Sequence, residues 1–580
     1  MTATLRRRPA ARFAAPAIAL VLLCGVVPGG AAAVLASDPP RAVICQGYSG
    51  VAAYNPAASV LRDELTVRTF PTVRVGDGTG NIAWTVSPFG SSTWMLWLQS
   101  LRWIGSLLNN YESTDDVTML RHAEAIVDDW IRDHPDDTRW SGQALEARAH
   151  RAQTILCLLA DVPASDSAQR SLLIRSLDQH AGELERVYSG DTNHGLDENL
   201  ALLAIGCVLD RPAYMDFAVQ RMTDSMQRTL DGQGVTNEQS TGYQAYNFAR
   251  FTVARQRAAA CGRPLPSVLS VRIDKMPGVL AAATMPDGRL APIGDTERNA
   301  AGAIVTTSGA LTRILGAGYV FSRSGWGPAA TFAALRFGPA RKIHGHNDHM
   351  SLTYFTRGRL VFTDGGFTGY DDAARLAYLR SPAASSQFLI ADAAMASVPT
   401  ALTRSAVRLD SVFTELRDAP VSGVTRTRGV LLLDGPDVAA VWDRIDSTAT
   451  HRAIQQWHLL PSTAATVVSP GTVRLTASGW ASRTDVVQIP APGVTPSRTV
   501  IGAGYYAAGL QQWQRTRVVQ TAVTGSHIRL LTLLIPAGRY QRVQWRVSRS
   551  AGGTLTVAIT VGSQRAMLTI APDGLMTRTR

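Results

Sequence analysis

Apolar residues change their spacing about halfway along this chain, and no single layer of secondary structure accommodates both patterns. From about Trp94 to Ala283 they recur three and four residues apart, in Thr118 to Ile131, Ala144 to Leu159, Leu196 to Leu209 and Tyr243 to Ala260. That is the period of one helical face. The breaks carry turn chemistry: Asp133-His134-Pro135-Asp136, Asp210-Arg211-Pro212, Asp231-Gly232 and Cys261-Gly262-Arg263-Pro264. Helices joined by short turns over this length predict antiparallel helical hairpins, stacked as an array or closed into a toroid. After about Ala317 the runs become short and rich in β-branched and aromatic residues, as in Leu352 to Phe355, Leu360 to Thr363, Val430 to Leu433, Val438 to Trp442, Ile528 to Leu534, Val543 to Val547 and Leu555 to Val561. Strands separated by Gly, Asp, Pro and Ser predict a large antiparallel β-sandwich. The junction falls between Thr296 and Tyr319, giving a helical domain over 37–310 and a β domain over 311–580. A cleft between two such halves is a common place for a ligand.

Ahead of both lies a different segment. Arg6, Arg7, Arg8 and Arg12 precede an apolar run from Ala14 to Val27, and small residues follow to Ala36. This is the pattern of a secretory signal peptide over 1–36, and the run is short for a membrane span. It predicts a secreted, periplasmic or cell-envelope protein without stable membrane insertion. Removing four arginines and no acids lowers the formal charge from +12 to +8. The remaining cations are almost all arginine, since Lys275 and Lys342 are the only lysines among 57 basic residues. A basic exported chain points to an acidic partner. The lack of a clustered Lys/Arg run beyond the leader argues against nucleic acid. Cys45, Cys157, Cys207 and Cys261 follow the leader. Two sit in Ala/Leu-rich helical patterns, so buried thiols with at most one bridge are expected.

Three clusters carry chemistry. Asp191-Thr192-Asn193-His194-Gly195 opens a helix, with Asp191 or Asn193 as its cap. Asn237 to Tyr246 opens another; Ser240 or Thr241 can cap it, and Tyr243 and Tyr246 share a face. The third is His344-Gly345-His346-Asn347-Asp348-His349, preceded by Arg341 and Lys342. Read as a strand, it projects His344, His346 and Asp348 to one side and His349 to the other, with Asp364 reachable from the next strand. His plus carboxylate at that spacing suits zinc.

The third cluster alone resembles the HxHxDH motif of the metallo-β-lactamase family, which implies a zinc-dependent hydrolase. All three together resemble the heparinase II/III-like polysaccharide lyases. That resemblance rests on Asn193-His194, Glu238-x-Ser240-x-x-Tyr243, Met285-Pro286-Asp287-Gly288 leading to Pro292-Ile293-Gly294-Asp295, His344-Gly345-His346-x-Asp348, Val361 to Gly366, and Arg380-Ser381-x-Ala383-Ala384, in family order. It implies an N-terminal (α/α) toroid, a C-terminal β-sandwich and β-elimination at a uronic acid of an acidic polysaccharide. It further implies that Asn193 binds the uronate carboxylate with His194 assisting or acting as base, that Tyr243 is base or acid, and that His344 polarises the carboxylate or acts as complementary base. Glu238, Tyr246 and Arg341 are the implied substrate-binding residues, Glu238 chiefly by orienting Tyr243 or its loop. Asp295 is expected to tie the toroid to the sandwich.

The chain departs from the family pattern at the metal. Some relatives hold zinc with the second His of HGH, an Asp on the following strand and a later His. Here His346 and Asp364 match, while Ser385 stands at the third position. Zinc would rest on two ligands, and without it His346 can pair with Asp364. A non-catalytic binder of anionic exopolysaccharide remains an alternative. So does a glycoside hydrolase using Asp197, Glu198 or Glu238.

Overall fold

The computed structural model describes residues 41–45, 53–135, 144–302, 309–491, 495–496 and 499–579. The expected leader, with Cys24, lies outside the described residues. So do Asp136 of the first turn and residues 303–308 of the junction between the halves.

The helical half runs from Ser92–Gln99 to Ser267–Ala283. Consecutive helices pack as antiparallel pairs. Alternate ones, Ala144–Asp161, Asn193–Val208 and Thr241–Ala260, also touch one another in an inner ring. The sequence of Asn193–Val208 explains its place. From Leu200 it is apolar on every side, and every residue from Gly195 to Gly206 is buried, as a helix surrounded by others requires. Val117–Asp133 instead has one apolar stripe, through Leu120, Ala123, Ile126, Val127 and Trp130, and sits outside. The hairpins therefore close into a toroid rather than extend as an array.

Two disulfides, Cys45–Cys157 and Cys207–Cys261, cross this half. The expectation of buried thiols fails here. Inner-ring positions Cys157 and Cys207 look like small buried hydrophobes in sequence, but their partners approach from turns and from the N-terminal segment, which helical periodicity does not register.

The β half has three layers. A five-stranded meander runs from Thr312–Leu315 to Arg359–Phe362, and an 11-stranded antiparallel sheet carries the long strands Val438–His458 and Trp513–Gly538. A four-stranded sheet, Val543–Arg549 to Met576–Thr579, covers the outer face. Val320, Leu352 and Val361 of the meander pack on Val430, Val441 and Val519 of the large sheet. The other face of the large sheet meets the small one through Trp442, Leu531, Val557 and Leu568.

The meander's second face is also covered. Tyr319, Phe321, Phe332 and Phe355 pack on Val279, Leu280 and Ala283 of the last toroid helix. Three of its strands are thus buried along their whole length, which is why they read as continuous apolar runs rather than alternating ones. This double-sided core fixes the meander against the toroid and sets the position of the loops that follow its strands.

Candidate active site

Toroid and β half enclose a cleft of about 680 Å³ lined by Asn193, His194, Tyr243, Tyr246, Asp295, His344 and Tyr370, among others. An apolar groove of about 550 Å³ near Leu311 and Leu409 contains none of these side chains.

The toroid wall is built from the first turns of inner helices. Glu146 opens Ala144–Asp161 with His150 a turn later, Asn193 and His194 open Asn193–Val208, and Tyr243 opens Thr241–Ala260 with Tyr246 a turn later. Helix N-termini present unpaired N–H groups and positive dipole ends, an arrangement that favours anions. Thr192, not Asp191 or Asn193, caps the Asn193 helix by accepting from Gly195. Asp191 is held by Arg228 at 2.7 Å. Freed from capping, Asn193 keeps a buried side-chain oxygen with no hydrogen-bond partner. Ser240 caps the Tyr243 helix. His194 lies 3.0 Å from Glu146. Burial would lower the His194 pKa, but the Glu146 carboxylate beside it prevails and raises it.

The opposite wall is made of loops converging on one carboxylate. Asp295 bonds to His344 Nδ1 at 3.1 Å and His346 Nε2 at 2.9 Å. It also accepts from the Arg380 guanidinium and, at 3.2 Å, from the Tyr370 hydroxyl. Burial would raise its pKa, yet these hydrogen bonds hold it far below the usual carboxylate range. Asp295 thus ties the toroid to the sandwich as expected. Gly294, at φ +63°, makes this possible: a Cβ there would lie 2.6 Å from the backbone oxygens of both Gln239 and His344.

The two walls meet at Tyr243. Its ring stacks on the His344 imidazole with centroids 3.4 Å apart and planes within 6°. Its hydroxyl lies 2.7 Å from that of Tyr370, which in turn is 3.0 Å from His344 Nδ1. Burial raises the Tyr243 pKa, and the Asp295 and Glu238 carboxylates add to the effect against the Tyr370 hydrogen bond.

Other expectations also need correction. His344 to His349 is a loop, not a strand, with Ile343 at φ +37° and a Lys342–Gly345 turn. His344 and His346 turn to Asp295, while Asp348 goes to Arg336 at 3.5 Å and His349 to the Val398 carbonyl at 3.0 Å. The HxHxDH hydrolase reading therefore fails, since its ligands scatter to separate partners. Arg341 gives its guanidinium to the Gly345 carbonyl at 2.8 Å, backing the His344 loop instead of lining the cleft. Glu238 is 3% exposed and lies behind the wall. It accepts from Asn247 and the Asn193 backbone, with His344 Nε2 3.7 Å away. It contacts these groups from behind and is not part of the cleft lining. Tyr246 reaches the cleft but gives its hydroxyl to Asp197 at 3.0 Å. The glycosidase carboxylates are engaged too: Asp197 by Arg250 and Glu198 by Ser189.

The zinc expectation does not fit these residues. His346 Nε2 is taken by Asp295, and only Nδ1 faces Asp364, at 3.6 Å. The Ser385 hydroxyl accepts from Gln387. Among the described residues no three His, Cys, Asp or Glu side chains form a group able to hold a metal. Burial lowers the His346 pKa, but its two carboxylates outweigh this and bring it to about 9. His346 lies between the carboxylates of Asp295 and Asp364.

Sequence models of the heparinase II/III N-terminus and the heparinase II/III-like C-terminal region match residues 56–311 and 306–546. The chain belongs to the heparinase II/III-like family. It is a polysaccharide lyase of that family, with the family's helical toroid and β domain. A crystal structure of heparinase III superposes with a TM-score of 0.76 at 16% identity, over 92% of this chain and 93% of that one. The heparan sulfate lyase HepC of Pedobacter heparinus gives 0.67 at 17% identity over 92% of each chain. A chondroitin AC lyase of Streptomyces coelicolor A3 gives 0.52 at 10% identity, over 95% of this chain and 89% of that one. No curated protein matches the sequence. Tyr370, Glu146 and His150 escaped the sequence reading. Tyr370 follows a Gly-rich stretch, Gly365-Gly366-Phe367-Thr368-Gly369, whose turns offered the one available signal.

Proposed function

We propose that this protein cleaves a uronate-containing acidic polysaccharide by β-elimination, with Asn193, His194, Tyr243 and His344 acting on one sugar. One observation carries this reading: the four side chains line a single cleft, and Tyr243 is stacked on His344 while bonded to Tyr370. The Asn193 amide and a charged His194 neutralise the substrate carboxylate, which makes the C5 proton acidic enough to remove. Asp295 accepts a hydrogen bond from His344 Nδ1 and so fixes the imidazole that acts as the base. The C5–H electrons form the C4–C5 double bond as the C4–O4 bond breaks. Tyr243, kept protonated by its buried setting, gives its proton to the departing O4.

Relatives named as lyases of heparan sulfate and chondroitin support this substrate class. The two disulfides support export, as does the basic and apolar leader. A mature N-terminus found near residue 37 by mass would test that point. The central test is purified protein offered alginate, glycosaminoglycans and glucuronans, with ultraviolet absorbance read for an unsaturated product. Absorbance should rise with at least one polymer. Silence with all of them from folded protein would overturn the proposal.

A further inference from the structure

The outermost sheet, Val543–Arg549 to Met576–Thr579, carries positive charge with little acid to balance it. From Arg539 to Pro572 the chain has five arginines, Arg539, Arg542, Arg546, Arg549 and Arg565, and no Asp or Glu. All five are exposed. Among the described residues none of their guanidiniums makes a hydrogen bond or ion pair. Acids that border the sheet are engaged by other arginines: Asp573 and Glu415 by Arg404, Asp410 by Arg578, and Asp485 by Arg474.

Strand pairing turns two of the five to the same side. Val543, Val547, Val557, Ile559 and Leu568 point into the core shared with the large sheet. Alternation therefore directs Gln544, Arg546 and Ser548 outward. Arg546 stands opposite Ala558, and Arg565 stands opposite Thr560, two places further along that strand. Both arginines thus project from the outer face, on strands about 10 Å apart. Two aromatic rings border them. Trp545 is 41% exposed, and Tyr540 is 90% exposed with the Arg539 guanidinium 5.7 Å from its centroid.

Charge on an edge strand can serve only to block pairing with another sheet. Val543–Arg549 is such an edge, but Gln564–Ile570 has neighbours on both sides, so Arg565 has no edge to guard. Mixed charges would also keep this surface soluble, which leaves the absence of acids unexplained by solubility. The face is separate from the cleft. The large sheet and the meander stand between it and the toroid, at about 10 Å per sheet.

We propose that this face, through Arg546, Arg565 and the flanking arginines with Trp545 and Tyr540, is a non-catalytic docking site for an acidic polysaccharide. Guanidinium forks match carboxylates and sulfates. Aromatic rings offer an apolar surface to the sugar. Several weak contacts to one polymer reinforce each other, so a chain held here keeps its free length close to the cleft. The choice of a polysaccharide among polyanions rests on the lyase reading.

Binding tests the face apart from catalysis. The full chain carrying Tyr243→Phe, which slows turnover, is titrated with a glucuronan, heparan sulfate and neutral dextran at low and physiological salt. At least one acidic polymer should bind more tightly than dextran, and less tightly as salt rises. Adding Arg546→Gln with Arg565→Gln should weaken that binding about tenfold, the scale of two cations lost from an anionic contact, and flatten its salt dependence. Arg546→Lys with Arg565→Lys should keep most of it. If the double glutamine variant does not fold, Arg542→Gln with Arg549→Gln replaces it. Unchanged affinity in the glutamine variant, or equal binding of dextran, would overturn the docking site. So would arginine-dependent binding of phosphatidylglycerol vesicles or duplex DNA in place of the acidic glycans. Arginine-dependent glycan binding by a protein whose unsubstituted form makes no unsaturated product would sink the lyase reading alone.

Discussion

The two walls of the cleft are built on opposite principles. On the toroid side Asn193, His194 and Tyr243 sit in the first turns of two helices, each supported by a cap and a buried inner ring. On the sandwich side His344, His346, Tyr370 and Arg380 come from loops and share Asp295. The first wall is modular, since losing one side chain leaves its neighbours anchored. The second is cooperative, since losing one carboxylate leaves four partners unsatisfied. Measurements that separate activity from stability can break or sharpen this contrast.

The largest effect is expected at the shared carboxylate. Asp295→Ala should lower turnover by about 10⁴-fold, the scale seen when a histidine loses its orienting carboxylate. It should also cost about 3–5 kcal/mol of stability by leaving buried cations unpaired. Unchanged denaturation midpoints would contradict the cooperative reading. Next, Tyr243→Phe should lower turnover by about 10²–10⁴-fold while thermal unfolding stays close to that of the original protein. A large drop in melting temperature would show that the toroid wall is not modular.

A smaller, pH-dependent effect belongs to Glu146→Gln. Glu146 raises the His194 pKa, so its loss lowers that pKa. The charged form then disappears at lower pH. The alkaline limb of the kcat/KM profile should move toward acid, with about a tenfold loss near neutrality. An unmoved limb would remove His194 from carboxylate neutralisation.

The last effect is on stability alone. His346 has its pKa raised to about 9. Its contribution is therefore complete below the unfolded value near 6.5 and is lost as pH rises through 9. Denaturant titrations should show about 3 kcal/mol less stability at the upper end of this window than at the lower. Asp364→Asn should flatten that dependence.

The same contrast explains what could be read from sequence. Asn193, His194 and Tyr243 could be placed at helix starts because these have local signatures, a short polar cap followed by a periodic apolar run, although the cap before Asn193 proved to be Thr192 rather than Asp191 or Asn193. The two-period pattern likewise revealed helical and β halves. The loop wall has no such grammar. His344 to His349 resembled a strand only while its facing was inferred from alternation, and a turn with positive φ at Ile343 cancels that inference. Tyr370 joins His344 across 26 residues, a separation that no local pattern reports. Disulfide pairing was hidden for the same reason, its partners being 112 and 54 residues apart.

The buried meander has a further consequence for how such a protein can diversify. Because both faces of those strands are committed to neighbours, the junction of the halves tolerates little change. The loops carrying His344 and Tyr370 contribute no side chain to either of these core clusters. New glycan preferences can therefore arise by exchanging loop residues over an unchanged chassis, so that one architecture can serve different polysaccharides.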